Sequence, residues 1–212
     1  YASRKNNLGW GFSIPVNSDY LVFEFDFDNG NYWGEYVNLG YDKNTDGNYS
    51  SNCNTSDANE LGIGLRLSAG NIALYKADGT TASAPKIGTG WTRYRLTIDL
   101  RANGGQGAGY VCARILGTSG LWQQITGLQK IAMNINSSSV NQNNLQNLDG
   151  IIVQQEAGGV GSVDNITITT YINNVIAPVT LCSNTNLIIS TLNIPSTNGY
   201  NWLTPAGSTY TT

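Results

Sequence analysis

Along most of the chain up to residue 172, apolar and polar side chains alternate with a period of two. The clearest example is segment 20–28, where every second residue from Leu21 to Phe27 is Leu or Phe and the intervening residues include Glu24 and Asp26. Because successive side chains of a β-strand point to opposite faces, this pattern predicts strands with one buried and one polar face. Such one-sided strands are typical of antiparallel sheets.

Five later segments repeat this alternation. Their apolar members are Leu61, Ile63, Leu65 and Leu67; Tyr94, Leu96, Ile98 and Leu100; Val111, Ala113 and Ile115; Ile131, Met133 and Ile135; and Ile166 and Ile168. Turn-forming pairs such as Asn29-Gly30 and Asp78-Gly79 separate the segments, and the run Gly104-Gly105-Gln106-Gly107 is typical of a hairpin connection. No stretch has a convincing 3.6-residue period. We therefore predict an all-β, antiparallel two-sheet sandwich of about ten or eleven strands.

The alternation ends near residue 173, and a different pattern begins after Pro178. Segment 179–212 contains Cys182, a short apolar run and a Tyr- and Trp-containing stretch. A segment of this size cannot enclose an independent core without disulfide bonds or bound metal ions. We expect residues 1–173 to form the sandwich, 174–178 a linker, and 179–212 the first part of a second, immunoglobulin-like β-domain.

The composition excludes several classes of protein. A net charge of −3 with only 11 Lys and Arg residues gives no basic surface for nucleic-acid phosphates. The chain has no His, which is the commonest catalytic base and transition-metal ligand. No apolar run approaches the roughly 18 residues of a membrane-spanning helix. We expect no nucleic-acid partner and no membrane insertion.

Three cysteines, Cys53, Cys112 and Cys182, leave the disulfide pairing open. Cys53 and Cys112 either form a bridge or remain two separate thiols, because spacing alone does not establish that their Cα atoms approach closely enough. Cys182 lies in the second predicted segment, where a partner beyond residue 212 is one alternative.

Residues 1–173 resemble the laminin-G/concanavalin-like jelly rolls of secreted Bacteroidota proteins. The resemblance is carried by Leu21-Val22-Phe23-Glu24-Phe25-Asp26, by Trp91-Thr92-Arg93-Tyr94-Arg95-Leu96-Thr97-Ile98-Asp99-Leu100, and by Leu148-Asp149-Gly150-Ile151 with Val163-Asp164-Asn165-Ile166-Thr167-Ile168. It implies that the sandwich is a jelly roll. It implies no particular chemistry, because this fold hosts many functions.

The tail is similar to the start of the PKD-like immunoglobulin domains of large cell-surface adhesins. The matching residues are Cys182, Thr185 and the pattern Tyr200-x-Trp202-x-x-Pro205-x-Gly207. In that family the first Cys often bonds a later one. Together the two resemblances imply a modular, secreted cell-surface protein with further domains in the same polypeptide, exported by the type IX route.

Two places are candidates for structural calcium. Asp42, Asn44, Asp46 and Asn48, with Gly47 at the bend, match the first half of an oxygen-ligand calcium loop, although Cys53 replaces its final Glu. The alternative is an Asx-rich loop that makes its own turns. By resemblance, Asp164 in the last strand would hold a second ion; its alternative role is pairing with backbone amides at a sheet edge.

Glu24, Asp26 and Asp28 have two competing interpretations. Laminarinase-type glycoside hydrolases, which share the concanavalin-like fold, carry Glu-x-Asp-x-Glu on one strand, and alternation aims all three carboxylates into the cleft. Here the third carboxylate is Asp28, and the motif lies on an early strand. The alternative is electrostatic pairing of Glu24 and Asp26 with Arg93 and Arg95 across neighbouring strands.

A polar sheet face is the predicted ligand groove. We expect its lining to be Glu24, Asp26, Tyr36, Asn38, Arg66, Arg93 and Arg95, beside the small residues Gly62 and Gly64. Aromatic rings match the C–H faces of sugars, and Tyr32, Tyr41, Tyr49, Trp91 and Trp122 are further candidates, whereas alternation assigns Trp33 to the core. Alternatively, this face is a solvated sheet surface without a ligand, or the contact surface for a neighbouring domain.

The sequence therefore favours a non-enzymatic module of an exported multidomain surface protein, acting in adhesion or carbohydrate recognition with structural Ca²⁺. Its expected partners are a glycan or another cell-surface ligand. One alternative is a glycoside hydrolase of the laminarinase type that uses the Glu24/Asp26/Asp28 strand. Another is a structural subunit of a surface fibre.

Overall fold

The structure is a computed structural model that describes residues 6–7, 12–29, 34–41, 63–68, 70–76, 80–118, 120–133, 145–155 and 161–172. The predicted calcium loop at 42–48, the linker at 174–178 and the partial domain at 179–212 lie outside these residues. Among the described residues, no helix is long and apolar enough to cross a lipid bilayer.

Twelve β-strands account for nearly all of the regular secondary structure in the described residues. They are β1 Asn6–Asn7, β2 Ser18–Asn29, β3 Glu35–Gly40, β4 Ile63–Leu67, β5 Asn71–Tyr75, β6 Thr81–Pro85, β7 Gly90–Asp99, β8 Ala108–Ile115, β9 Gln123–Gln124, β10 Ile131–Ala132, β11 Gly150–Gln155 and β12 Ser162–Ile172. A short helical turn, α1 (Ala102–Gly105), joins β7 to β8. A 3₁₀ turn at Leu145–Asn147 precedes β11.

The strands form two antiparallel sheets. Sheet A has the order β1-β11-β3-β4-β5-β6, and sheet B has the order β10-β8-β7-β2-β12, with β9 pairing to β8. Sequence neighbours β3 to β6 lie side by side in sheet A, whereas β2 pairs with β7 and with the last strand, β12. Sheet B is therefore assembled from distant parts of the chain.

The alternating apolar residues of both sheets meet in one core. Leu21, Phe23 and Phe25 of sheet B and Val37 and Leu65 of sheet A are all fully buried in the same cluster. The Phe23 and Phe25 ring centroids are 5.2 Å apart, and the Phe25 ring lies 5.9 Å from that of Tyr94. The predicted all-β, antiparallel two-sheet sandwich is confirmed.

Alternation located the central strands better than the peripheral ones. Within the described part of the run predicted around Met133, the strand β10 comprises two residues, and Met133 itself is fully buried, as expected of a core residue. Ile166 and Ile168 are only half-buried, because β12 lies at the edge of sheet B. The 104–107 run is part of a hairpin connection as predicted, with positive φ angles of 51° at Asn103 and 67° at Gly104.

Cys112 is fully buried on β8 and is disulfide-bonded. The alternative of two separate thiols is therefore wrong for this residue. Its partner lies outside the described residues. Because its neighbours Val111 and Ala113 point into the core, alternation places the Cys112 side chain on the opposite, outer face of sheet B.

Candidate functional site

The outer face of sheet B carries an ordered row of opposite charges. Strands β2 and β7 pair so that Glu24 faces Arg95 and Asp26 faces Arg93. These residues alternate with core residues, so all four side chains point away from the sandwich interior. We call this surface the ladder face. Its residues are Glu24 and Asp26 of β2, Trp91, Arg93 and Arg95 of β7, Arg114 of β8, and Trp122, which lies over it.

Arg93 is the centre of the ladder face. Its Nη2 donates to Glu24 Oε2 at 2.9 Å, its Nε donates to the same oxygen at 3.1 Å, and its Nη1 donates to Asp26 Oδ1 at 2.7 Å. The Arg95 Nε donates to Glu24 Oε1. The side chains of Arg93, Glu24 and Asp26 are only 12%, 15% and 8% exposed. The predicted pairing across neighbouring strands is confirmed.

The pKa of Arg93 shows which interaction dominates there. Burial by itself lowers the pKa of a guanidinium, because it disfavours the charged form. The hydrogen bonds and the charges of Asp26 and Glu24 outweigh burial and raise the pKa of Arg93 above its usual value. The guanidinium is therefore held in its charged form by the two carboxylates.

The edge strand β12 completes the environment of Asp26. The Asn165 Nδ2 donates to Asp26 Oδ2 at 2.7 Å, so both carboxylate oxygens of Asp26 accept a hydrogen bond. Asn165 has a positive φ of 50°, which Asn tolerates better than most residues, and the β2–β12 register is irregular between Asp164 and Thr167. This bulge turns the amide of Asn165 toward β2.

The last-strand aspartate, Asp164, has an exposed side chain. Its Oδ1 accepts a hydrogen bond from the backbone N–H of Asn165 at 2.7 Å. This contact is the one that the backbone-amide alternative predicts. Among the described residues, no group of three or more His, Cys, Asp or Glu side chains is placed to hold a metal ion. Calcium at Asp164 stays a prediction.

Two tryptophans flank the charged row. The Trp122 ring lies against two guanidiniums, with its centroid 4.1 Å from Arg95 Cζ and 4.7 Å from Arg114 Cζ. Trp91, opposite Asp28, is 40% exposed and lies four residues before Arg95 on β7. Four strand residues span about 13 Å. The ladder face thus offers aromatic rings on either side of a patch of fixed polar groups.

Three of the predicted groove residues lie elsewhere. Tyr36 and Asn38 on β3 and Arg66 on β4 belong to sheet A. Their side chains therefore lie on the outer face of sheet A, on the opposite side of the sandwich from the ladder face. Tyr36 is 3% exposed and Asn38 is fully buried. The expectation of one polar face shared by all seven residues does not hold, because Glu24, Asp26, Arg93 and Arg95 lie on sheet B.

The outer face of sheet A is an aromatic cluster. Tyr36 and Tyr75 meet edge to face with centroids 5.3 Å apart, and the Arg66 Cζ lies 5.4 Å from the centre of the Tyr36 ring. A side chain at Gly64 would collide with Asn38 and with the backbone of Val37. The described residues of this surface are therefore closely packed against one another.

Sequence reasoning missed a second polar cluster on sheet B. Arg101 contacts both Asp19 and Asp99 at 3.3 Å, and it also donates to the hydroxyl of Tyr20. Burial, followed by the charge of Asp99, raises the pKa of Tyr20 above its usual value of 10.0. The only signal for this cluster is the β2–β7 register, which pairs Tyr20 with Asp99 and is not visible in local sequence.

The hydrolase interpretation requires carboxylates that are free to exchange protons or attack a sugar. Both oxygens of Glu24 are engaged by Arg93 and Arg95, and both oxygens of Asp26 are engaged by Arg93 and Asn165. Groups held in this way are suited to positioning a ligand. The geometry therefore favours the charge-pairing interpretation of the strand over the catalytic one.

No protein-family model matches the chain, and no curated protein matches it. Among solved structures, the chain is similar to a bifunctional GH43-CE protein of Bacteroides eggerthii, with 12% sequence identity and a TM-score of 0.40. The aligned region covers 71% of this chain and 18% of that protein, so the chain spans less than a fifth of the protein that it matches.

Proposed function

We propose that the sandwich is a non-enzymatic carbohydrate-recognition module of an exported, multidomain surface protein, and that it binds glycans on the ladder face. The observation that carries the proposal is the fixed array of Glu24, Asp26, Arg93 and Arg95 between Trp91 and Trp122. Carboxylates and guanidiniums hydrogen-bond sugar hydroxyls, while tryptophan rings pack against the C–H faces of sugars.

Preorganisation supports binding on this face. A long side chain that becomes ordered on binding costs about 0.5–1.5 kcal/mol. Arg93 makes ion pairs with Glu24 and Asp26 before any ligand arrives, so little of this cost remains. A weakly interacting ligand such as a glycan benefits most from a surface that is already ordered.

The proposed setting is extracellular. The disulfide at Cys112 is a bond typical of oxidising compartments and rare in the cytosol. We further propose that the protein is a cell-surface adhesin secreted by the type IX route and that a PKD-like domain follows the sandwich. These proposals rest on the resemblances in sequence. Further domains of the same polypeptide are then natural partners of the module.

Calcium is also part of the proposal, with Asp42, Asn44, Asp46 and Asn48 as the ligands that the sequence predicts. An ion that binds only the native state stabilises it, so chelation should lower the melting temperature. The measurement is a thermal melt with excess calcium and with EGTA. A melting temperature that is unchanged by EGTA would remove the calcium proposal and leave the glycan proposal standing.

The test of the glycan proposal is a glycan array probed with the wild-type protein and two variants. Trp122→Ala should weaken binding about tenfold or more, because it removes the ring that lies over Arg95 and Arg114. The matched control is Tyr171→Ala, which removes an exposed aromatic at the far end of the same sheet. Binding that falls equally in both variants contradicts the assignment to the ladder face.

Two other outcomes would replace the proposal with its alternatives. New reducing ends in the incubated glycan, lost in Glu24→Gln, would identify a glycoside hydrolase. A complete absence of glycan binding by the wild-type protein would favour a structural subunit of a surface fibre.

A further inference from the structure

Arg114 differs from the other arginines of the ladder face. It lies directly opposite Arg93 in the β7–β8 register, so two guanidinium-bearing side chains are neighbours on one surface. Arg93 and Arg95 are both paired with carboxylates. Across strands β8, β7 and β2, three guanidiniums therefore lie beside the two paired carboxylates, Glu24 and Asp26, while Asp28 lies one outer position further along β2.

No carboxylate among the described residues forms an ion pair with Arg114. Its Nε is buried and has no hydrogen-bond partner there. Its contact is with the Trp122 ring, whose centroid lies 4.7 Å from Arg114 Cζ and which interacts with the positive charge but provides no acceptor in the plane of the guanidinium. The charge of Arg114 is therefore not balanced by a carboxylate among the described residues.

The other charges on this face are arranged by strand. Around the ladder face, the acidic side chains Glu24, Asp26, Asp28 and Asp164 belong to β2 and β12, and the basic ones belong to β7 and β8. Asp99, at the other end of β7, is paired with Arg101. Neighbouring strands are about 4.8 Å apart, which puts β8 about 10 Å from β2 and about 14 Å from β12. Asp28 and Asp164, which no arginine of the ladder face neutralises, are therefore on the far side from Arg114.

We infer that the glycan bound by the ladder face is acidic, and that its oxyanion docks on Arg114 beside Trp122. This inference rests on the proposed function and adds the class of ligand to it. The planar guanidinium binds carboxylate and sulfate groups through two parallel hydrogen bonds. A sugar ring that carries such a group can then stack on Trp122, while Gln124, which faces Cys112 in the β8–β9 register, is nearby to bind a hydroxyl.

The oxyanion is either the carboxylate of a uronic acid or a sulfate ester, and the experiment separates these sources. Binding is measured by calorimetry for three probes of similar length: oligogalacturonate, sulfated dextran oligomers and neutral dextran oligomers. The wild-type protein should bind at least one charged probe about tenfold or more tightly than the neutral one. The protein's own net charge of −3 opposes non-specific attraction of these anions.

Two variants test the role of Arg114. Arg114→Gln should abolish the preference for the charged probe, whereas Arg114→Lys, which keeps the charge but not the planar fork, should retain part of it. The control is Lys130→Gln, which removes the same charge at an exposed site of the described chain. A thermal melt of each variant ensures that only folded protein is compared.

The outcomes distinguish this inference from the proposed function. Tight binding to a neutral glycan, lost in Trp122→Ala and unaffected by Arg114→Gln, would overturn the inference and leave the proposed function intact. Absence of binding to every glycan would overturn both. Equal losses in Arg114→Gln and Lys130→Gln would show that only overall charge matters, which also contradicts the assignment to Arg114.

Discussion

The two outer faces of the sandwich have the same origin in sequence but opposite character. On sheet B, Glu24 and Asp26 are paired with Arg93 and Arg95, and tryptophans flank them. On sheet A, the corresponding surface is a packed cluster around Tyr36 and Tyr75. Pointing away from the core therefore does not make a side chain accessible to a ligand.

Side-chain size contributes to this difference. The outer positions of β4 and β5 include Gly64 and Ala73, which leave room for two tyrosine rings to lie close to the sheet. The outer positions of β2 and β7 carry long charged residues at two successive outward-facing pairs, Glu24–Arg95 and Asp26–Arg93. Such residues satisfy one another and remain partly accessible.

The largest loss of stability should come from adding a methyl group to the packed outer face of sheet A. Gly64→Ala places a methyl group against the side chain of Asn38 and the backbone of Val37, in a strand held on both sides. We expect a loss of about 3 kcal/mol in the free energy of unfolding, at the upper end for overpacked sites. Urea denaturation measures it. Gly70→Ala is the control, because a methyl group there meets nothing within 4 Å; equal losses would contradict the packed character of this face.

Breaking the ladder on sheet B should have the next largest effect. Arg93→Ala leaves Glu24 and Asp26 without their shared partner in a mostly buried setting, at a cost of about 2 kcal/mol. Arg101→Ala is the comparison, because the Arg101 side chain is 43% exposed and its ion pairs are worth less than about 1 kcal/mol. If the unfolding free energies of the two variants coincide, the ladder does not stabilise sheet B.

A smaller effect should appear between the two tyrosines of sheet A. A double-mutant cycle with Tyr36→Leu and Tyr75→Leu should yield a coupling of about 1 kcal/mol from the edge-to-face contact. This coupling should be insensitive to added salt, unlike any coupling that involves the charged groups of sheet B. A coupling near zero would mean that the rings are merely adjacent.

The smallest effect concerns pH at the far end of sheet B. Burial and the carboxylate of Asp99 raise the pKa of Tyr20 above 10.0, so the folded state favours the neutral phenol. The resulting stabilisation is fully present below a pH of about 10 and is lost as the pH rises through the higher, folded-state pKa. Tyr20→Phe should therefore flatten the decline of stability above pH 10. Superimposable wild-type and variant profiles there would contradict this.

The central strands were predictable because they depend on local alternation. The charge pairing was predictable because it needs, in addition, only the pairing of β2 with β7. Phe23, Leu65 and Ile98 are fully buried as the pattern required. Assigning strands to sheets was not predictable in the same way. The β3 strand pairs with β11, which is more than a hundred residues away, and such pairings decide that Tyr36 and Glu24 lie on opposite sides.

The remaining features of the site depend on loops and on backbone conformation. Trp122 reaches Arg95 and Arg114 from the segment before β9, and no spacing in the sequence indicates that contact. Asn165 bonds Asp26 because a bulge and a positive φ turn it toward β2. The sequence signal for this contact is an Asn within a strand that is otherwise rich in Thr and Ile.

The most direct test of the account follows the arginine side chains themselves. In NMR spectra recorded during titration with an acidic oligosaccharide, the Nε–Hε resonances of Arg95 and Arg114 should shift together with the indole N–H of Trp122. The resonance of Arg66, on the outer face of sheet A, should stay in place. Shifts at Arg66 while Arg95 and Arg114 remain unmoved would contradict the assignment of binding to sheet B.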